Sequence, residues 1–171
     1  MTQWWILVGM MGSGKSMVGR KLSEISGRPL QDTDQLLQNR FGRTIGKIFD
    51  IYGEAAFRDH ETSVLKTLDP EAGILATGGG VIVRPQNRVE LARLGKTIYL
   101  QVPPDKLIER LSLSRRRRPL LETENWEDRF RDLYESRREI YEGADLTFPV
   151  SAEDLEDTAA ALHVRLMELG W

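Results

Sequence analysis

Two hydrophobic rhythms alternate along the chain. Short continuous apolar runs read as buried strands, and longer stretches with apolar residues every three or four positions read as helices. The first run is Trp4-Trp5-Ile6-Leu7-Val8. A helical stretch from Met17 to Ser26 follows, with Leu22 and Ile25 spaced for one apolar face and Gly27 suited to the C-terminal cap. Pro29-Leu30-Gln31 is a short extended piece leading into Asp32-Thr33-Asp34, where a helix starts with Leu36, Leu37 and Phe41 inward and Gly42 as its stop. Thr44 can cap a short helix carrying Ile45, Ile48, Phe49 and Tyr52, which Gly53 breaks. A further helix runs from Glu54 to about Leu68, and Asp69-Pro70 ends it. Gly73 to Ala76 reads as a buried strand delivering Thr77-Gly78-Gly79-Gly80. Pro85 opens a helix through Leu94, closed by Gly95, and Thr97 to Val102 is the next strand. Asp105 to Ser112 is helical, residues 113 to 124 are polar and basic without a clear period, and Asn125 can cap a long helix to Glu142, stopped by Gly143. Leu146 to Val150 is a last strand and Glu153 to Leu169 a last helix.

Strands that alternate with helices imply an α/β fold with a parallel sheet covered on both faces. Ligands on such sheets sit beyond the carboxyl ends of the strands. Three clusters fall there: the stretch after Val8, Asp32-Thr33-Asp34, and Gly78-Gly79-Gly80.

The stretch after Val8 is Gly9-Met10-Met11-Gly12-Ser13-Gly14-Lys15-Ser16, which fits G-x-x-x-x-G-K-[ST], between a strand and a helix as the motif requires. Its glycines let the backbone curl so that N–H groups face phosphate oxygens, and the helix N-terminus adds partial positive charge. Lys15 brings a full charge to the β- and γ-phosphates, and the Ser16 hydroxyl can ligate Mg²⁺.

Asp32 and Asp34 alternate on an extended segment, so both carboxylates can face the site. One can anchor a water of the Mg²⁺ shell and the other can accept a hydroxyl proton. Capping of the following helix is the alternative reading of both. Arg58 stands near the edge of the stripe Phe57, Val64, Leu65 and Leu68, with Glu61 placed to hold its guanidinium. Arg137 shares a helical face with Phe130, Leu133, Ile140 and Tyr141, so it points inward and needs an anionic or carbonyl partner. A structural ion pair is the alternative for each arginine, whereas Arg138 is off the stripe. The triglycine permits close approach of backbone to a ligand, or is a plain turn. Arg115 to Arg118 before Pro119 is the densest charge, and an arginine-bearing stretch between two helices suits a mobile lid over a transferring phosphoryl group. His60 and His163 have no motif around them and read as surface or core-edge residues.

The chain has 171 residues, enough for one domain. Its net charge of −2, and arginines without interleaved aromatics, speak against nucleic acid and membrane partners. There is no cysteine, which excludes disulfides and thiolate chemistry and is compatible with a reducing compartment. No apolar run reaches a membrane-spanning length of about 20 residues, and no signal peptide is expected ahead of the first strand.

Taken together, the phosphate loop, Asp32-Thr33-Asp34, Ile45 with Phe49, Gly53-Glu54, Phe57-Arg58 with Glu61, Gly78-Gly79-Gly80, Arg118-Pro119-Leu120 and Arg137 with Tyr141 resemble the shikimate kinases, of the nucleoside-monophosphate-kinase-like P-loop class. The resemblance covers nearly the whole chain. It implies a three-layer fold with a five-stranded sheet in the order 2-3-1-4-5, a single domain over 1–171, an acceptor-binding region about 33–61 and a lid about 112–124. It implies transfer of the ATP γ-phosphoryl group to the 3-hydroxyl of shikimate by a cytoplasmic monomer. The implied catalytic residues are Lys15, Asp34 and Arg118, the last chosen for its adjacency to Pro119, with Arg117 as the alternative. The implied nucleotide set is Gly12, Ser13, Gly14, Lys15, Ser16, Met17, Arg110 against adenine, and Arg118. Asp34, Phe49, Phe57, Arg58, Gly79, Gly80 and Arg137 would bind shikimate, and Ser16 and Asp32 would hold Mg²⁺. Met11 stands where many members have proline or arginine, and the loop near Ser151 to Asp154 lacks the proline and arginine that some members place at adenine. Two other readings compete: another small-molecule kinase of this fold, for gluconate or a nucleotide, and a nucleotide-binding protein that has lost catalysis.

Overall fold

The computed structural model describes residues 3–70, 72–114, 118–150 and 155–171. Five strands, β1 (Trp4–Val8), β2 (Leu30–Asp32), β3 (Ile74–Ala76), β4 (Gly95–Gln101) and β5 (Leu146–Pro149), form one sheet in the order β2-β3-β1-β4-β5. All pairings are parallel. Among the described residues there are seven α-helices, six between strands and one after β5: α1 (Lys15–Ser26), α2 (Thr33–Phe41), α3 (Ile45–Lys66), α4 (Pro85–Leu94), α5 (Pro104–Leu113), α6 (Trp126–Glu142) and α7 (Leu155–Glu168). Parallel crossovers are right-handed, and the chain moves one way across the sheet through α1 and the other way through α3, α4 and α6. Helices therefore cover both faces, with α1 against α7 and α3 against α4.

The burial pattern follows from strand position. β1 is central and every one of its residues is buried, which is why it reads as an unbroken apolar run. The edge strands β2 and β5 are only half-buried for most of their length. Trp4 and Trp5 are the largest fully buried side chains, and the Trp4 indole donates to the Asp69 carbonyl at 2.7 Å. Gly95 opens β4 beside Trp4, and a Cβ there would lie 2.1 Å from the Trp4 carbonyl oxygen. Strand pairing thus begins two residues before Thr97, the position at which the hydrophobic pattern starts.

Gly53 has φ 76° and ψ 173°, a non-helical conformation that breaks α3 into two arms, as its place in the pattern predicts. Other expectations need small corrections. The inward face of α6 is built from Phe130, Tyr134, Arg137 and Tyr141, with Leu133 and Ile140 at its margin, because the face drifts around the helix over four turns. Ile25 continues the side of α1 that buries Val18 and Leu22, but in the last turn of the helix it is exposed. Asn125 occupies the N-cap of α6 but makes no side-chain capping bond. A 3₁₀ turn, Val81–Val83, follows the triglycine and has no counterpart in the periodicity. The arginines 115–117 and the loop 151–154, with the start expected for the last helix at Glu153, lie outside the described residues. Among the described residues no helix is long and apolar enough to cross a membrane.

The turn from α6 to β5 is fastened to β4 by Asp145, which accepts from the Thr97 backbone at 2.9 Å, the Thr97 hydroxyl at 2.8 Å and Lys96 at 3.0 Å. Partial burial pushes its carboxyl up, but the Thr97 and Lys96 bonds outweigh this and hold it below the usual carboxylate range. A folded-state value below the unfolded one means stability that is complete at neutral pH and is lost as pH falls through the folded value. Asp145→Asn is expected to lower urea stability by about 1 kcal/mol at pH 7, with the difference from the parent fading below about pH 4. Parallel urea titrations across pH check this.

Candidate active site

The carboxyl ends of β1, β2 and β3 open onto one cavity of about 550 Å³. The loop after β1 forms its floor. Gly9, Gly12 and Gly14 have φ of 149°, 83° and 90°, which a side chain would strain, and this is how the loop wraps inward before α1. Lys15 is buried at the first position of α1, and its ammonium donates to the Gly9 carbonyl at 2.8 Å, the Met10 carbonyl at 2.9 Å and the Ser13 hydroxyl at 3.2 Å. Ser13 is fully buried under the loop. Gly12, Gly14, Ser16 and Met17 line the cavity, Met17 being largely exposed at its edge. Arg110 reaches the Gly12 carbonyl from α5 at 3.4 Å, and Arg118 donates to the Ser114 hydroxyl at 3.2 Å; both arginines line the same cavity.

Asp32 caps α2, the alternative reading of its carboxylate, and also meets Ser16. One oxygen caps α2, accepting from the backbone of Asp34 at 2.9 Å and Gln35 at 3.3 Å. The other accepts from the Ser16 hydroxyl at 2.6 Å. Asp32 lies in a polar cleft beside the main cavity, which Ser16 and Asp34 also line. Asp34 thus stands where the two spaces meet.

The acceptor side is built from α3, the triglycine and α6. Phe49 and Phe57, from the two arms of α3, form a wall with ring centroids 5.3 Å apart. Arg58 pairs with Glu61 at 2.6 Å and with Glu54 at 3.5 Å. Burial pushes the Glu61 carboxyl above its usual range, while the Arg58 guanidinium pulls it back down. Arg137 donates to the Gly79 carbonyl at 3.4 Å, and the Tyr141 hydroxyl donates to the same oxygen. Burial raises the Tyr141 hydroxyl above the ordinary tyrosine range, so it stays a donor at neutral pH.

The triglycine is needed for space more than for backbone freedom, since none of its residues has positive φ. A Cβ at Gly78 would lie 2.8 Å from Asp34 Oδ1, and one at Gly80 would lie 2.1 Å from Arg58 Nη1. At Gly79 it would approach the Met11 backbone nitrogen at 3.2 Å. The aspartate, the arginine and the phosphate loop therefore converge on these three residues.

Among the described residues, the implied site residues line one of these two spaces, except Ser13, which is buried beneath the loop; Arg117 lies outside the described residues. The candidate set omitted four contributors. Glu61 was visible as the partner three residues after Arg58, and Tyr141 as a polar aromatic four after Arg137. Thr33 is buried and its hydroxyl accepts from the Gly78 backbone at 2.9 Å, which ties β2's end to the triglycine. Leu155, at the start of α7, packs on Gly14 and lines the cavity, and no sequence signal marked it.

A phosphate loop, paired carboxylates and inward arginines on the rim of a 2-3-1-4-5 parallel sheet define a P-loop small-molecule kinase. The family model described as shikimate kinase matches residues 11–166. A curated shikimate kinase of Thiobacillus denitrificans is 41% identical over 162 residues, covering 94% of this chain and 88% of the relative. The solved shikimate kinase of Acinetobacter baumannii in complex with shikimate is 37% identical, with a TM-score of 0.90 over 99% of this chain and 94% of that one. A gluconokinase of Sinorhizobium meliloti, 19% identical with a TM-score of 0.59 over 98% of this chain and 95% of that one, shares the fold alone. The chain belongs to the shikimate kinase family, enzymes that phosphorylate shikimate with ATP.

Replacing the Arg58 guanidinium with an apolar group should leave the buried Glu61 carboxyl with only the weaker pull of Arg137. Arg58→Leu is expected to raise the Glu61 carboxyl further above its parent value, and a ¹³C carboxyl titration by NMR reads this directly.

Proposed function

We propose that the cavity transfers the γ-phosphoryl group of ATP to the 3-hydroxyl of shikimate, with Asp34, Arg58 and Arg137 as the acceptor-binding set. The carrying observation is that the Arg58 and Arg137 guanidinium groups and the Asp34 carboxylate line the same cavity as the phosphate loop. Such a set suits an acceptor that bears both an anion and a hydroxyl. Arg58 and Arg137 bind the shikimate carboxylate, for which the planar guanidinium fork is better matched than an ammonium. Gly79 and Gly80 offer backbone, and Phe49 and Phe57 wall the ring. Asp34 orients the acceptor hydroxyl and takes its proton as the new O–P bond forms and the bond to the leaving ADP oxygen breaks. Lys15 and Arg118 stabilise charge on the transferring group.

The loop backbone from Gly12 to Met17 cradles the phosphates, and Arg110 flanks adenine. Ser16 and Asp32 fit a hard cation, since an alcohol and a carboxylate oxygen stand 2.6 Å apart beside the loop. They would hold Mg²⁺ and its waters, and the ion would supply positive charge to the phosphates. The chain is read as one cytoplasmic domain that works as a monomer, with residues 33–61 receiving the acceptor. Residues 112–124 act as the lid, a reading supported by Ser114, Arg118 and Leu120 on the cavity wall.

ADP release from Mg·ATP should be stimulated by shikimate and not by gluconate or nucleoside monophosphates. Asp34→Asn is expected to cut turnover roughly 10²–10⁴-fold while ATP still binds. Arg58→Ala and Arg137→Ala should each raise the shikimate KM about 10- to 100-fold, because each removes charge-assisted hydrogen bonds worth about 1.5–3 kcal/mol. Unchanged shikimate KM in both arginine variants would remove the carboxylate assignment. For the lid, limited proteolysis between Leu113 and Thr123 should slow when an ATP analogue and shikimate are both present, and equal cutting with and without them would remove it.

A further inference from the structure

We propose that Asn87 is a positioning residue for the acceptor site: its buried amide sets where the Arg58 guanidinium stands relative to the Gly80 turn. Asn87 lies in the first turn of α4 and is 0% exposed. Its side chain does not cap that helix. Instead, its Nδ2 donates to the Val81 carbonyl at 2.8 Å, and its Oδ1 lies 2.7 Å from the Thr62 hydroxyl, which donates to it. A carbonyl can only accept, so the amide has one orientation here, with its oxygen toward Thr62.

Both partners belong to the acceptor site at one remove. Thr62 is one turn after Arg58 on α3, with its hydroxyl oxygen 3.0 Å from the Arg58 carbonyl. Val81 directly follows Gly80, against which the Arg58 guanidinium is seated so closely that no Cβ would fit. The contacts close a ring: guanidinium to Gly80, Gly80 through Val81 to Asn87, Asn87 to Thr62, and Thr62 back to Arg58 along one turn of α3. A buried side-chain amide is costly unless both of its ends are bonded, and an apolar side chain of similar size would avoid that cost. The two bonds account for the amide at this position. They fix the separation of α3 from the triglycine turn, and two-pronged recognition of a carboxylate depends on such placement.

The inference rests on Arg58 contacting the acceptor as proposed above. Its test is steady-state kinetics of shikimate phosphorylation by Asn87→Leu, Thr62→Val, Thr62→Ser and Arg58→Ala. Asn87→Leu and Thr62→Val are expected to raise the shikimate KM about three- to tenfold with the ATP KM within about twofold of the parent. Thr62→Ser keeps the hydroxyl and should behave as the parent. The double variant Thr62→Val/Asn87→Leu should be no worse than Asn87→Leu, because both changes break one circuit. An unchanged shikimate KM in Asn87→Leu and Thr62→Val overturns the proposal. So does an ATP KM that rises in step, which is general loosening, or a Thr62→Ser as impaired as Thr62→Val. If Asn87→Leu fails to fold, the comparison of Thr62→Val with Thr62→Ser decides alone. A parent-like shikimate KM in Arg58→Ala removes the Arg58 reading and this inference with it; a raised KM there beside parent-like Thr62 and Asn87 variants removes this inference only.

Discussion

The arrangement of the whole site depends on the parallel pairing of β1 between β3 and β4. Parallel strands end on the same side, so whatever follows each of them meets at one rim. β1 delivers the phosphate loop, β3 delivers the triglycine, and β2, paired outside β3, delivers Asp32 and Asp34. The central strand must be apolar on both faces to sit there, and Trp4 to Val8 meet that demand with almost no exposure. Chemistry is thereby separated from the core by a single peptide step: Val8 is core and Gly9 is site.

Charge is then placed where the core would ordinarily reject it. Arg58, Glu61 and Arg137 lie at the edge of apolar packing, and the pairing of Arg58 with Glu61 compensates each for lost water. Such a pair is weak evidence of stability, and its stronger effect is on orientation. Glu61 holds one side of the guanidinium and the Gly80 backbone limits the other. On α6, Arg137 and Tyr141 converge on the Gly79 carbonyl, so both inward arginines are registered to the same three glycines.

Much of this was legible in the sequence because separate local signals agreed. The glycine spacing of the loop, the apolar run before it and the helix after it each required the others. Arg137 announced itself as a guanidinium on an apolar face, and Glu61 as its counterpart's neighbour beside Arg58. What was hidden depended on contacts distant in sequence. Thr33 meets Gly78 across 45 residues, Thr62 meets Asn87 across 25, and Leu155 meets Gly14 only once α7 has packed on α1. Asp32 shows a different limit: helix capping and a place beside the cation stood as alternatives, yet a carboxylate has two oxygens, and here one caps α2 while the other accepts from the Ser16 hydroxyl.

The bend at Gly53 divides α3 into an outer arm bearing Ile45 and Phe49 and an inner arm bearing Phe57, Arg58 and Glu61. Nothing crowds a Cβ at Gly53, so glycine is needed there for backbone conformation alone. The arm outside the bend reaches the cavity without being threaded through the sheet, while the phosphate loop is locked to the central strand. Over evolutionary time these two parts are therefore free to change at different rates. A lineage could reshape the outer arm to admit a new alcohol and leave the machinery that handles the nucleotide untouched.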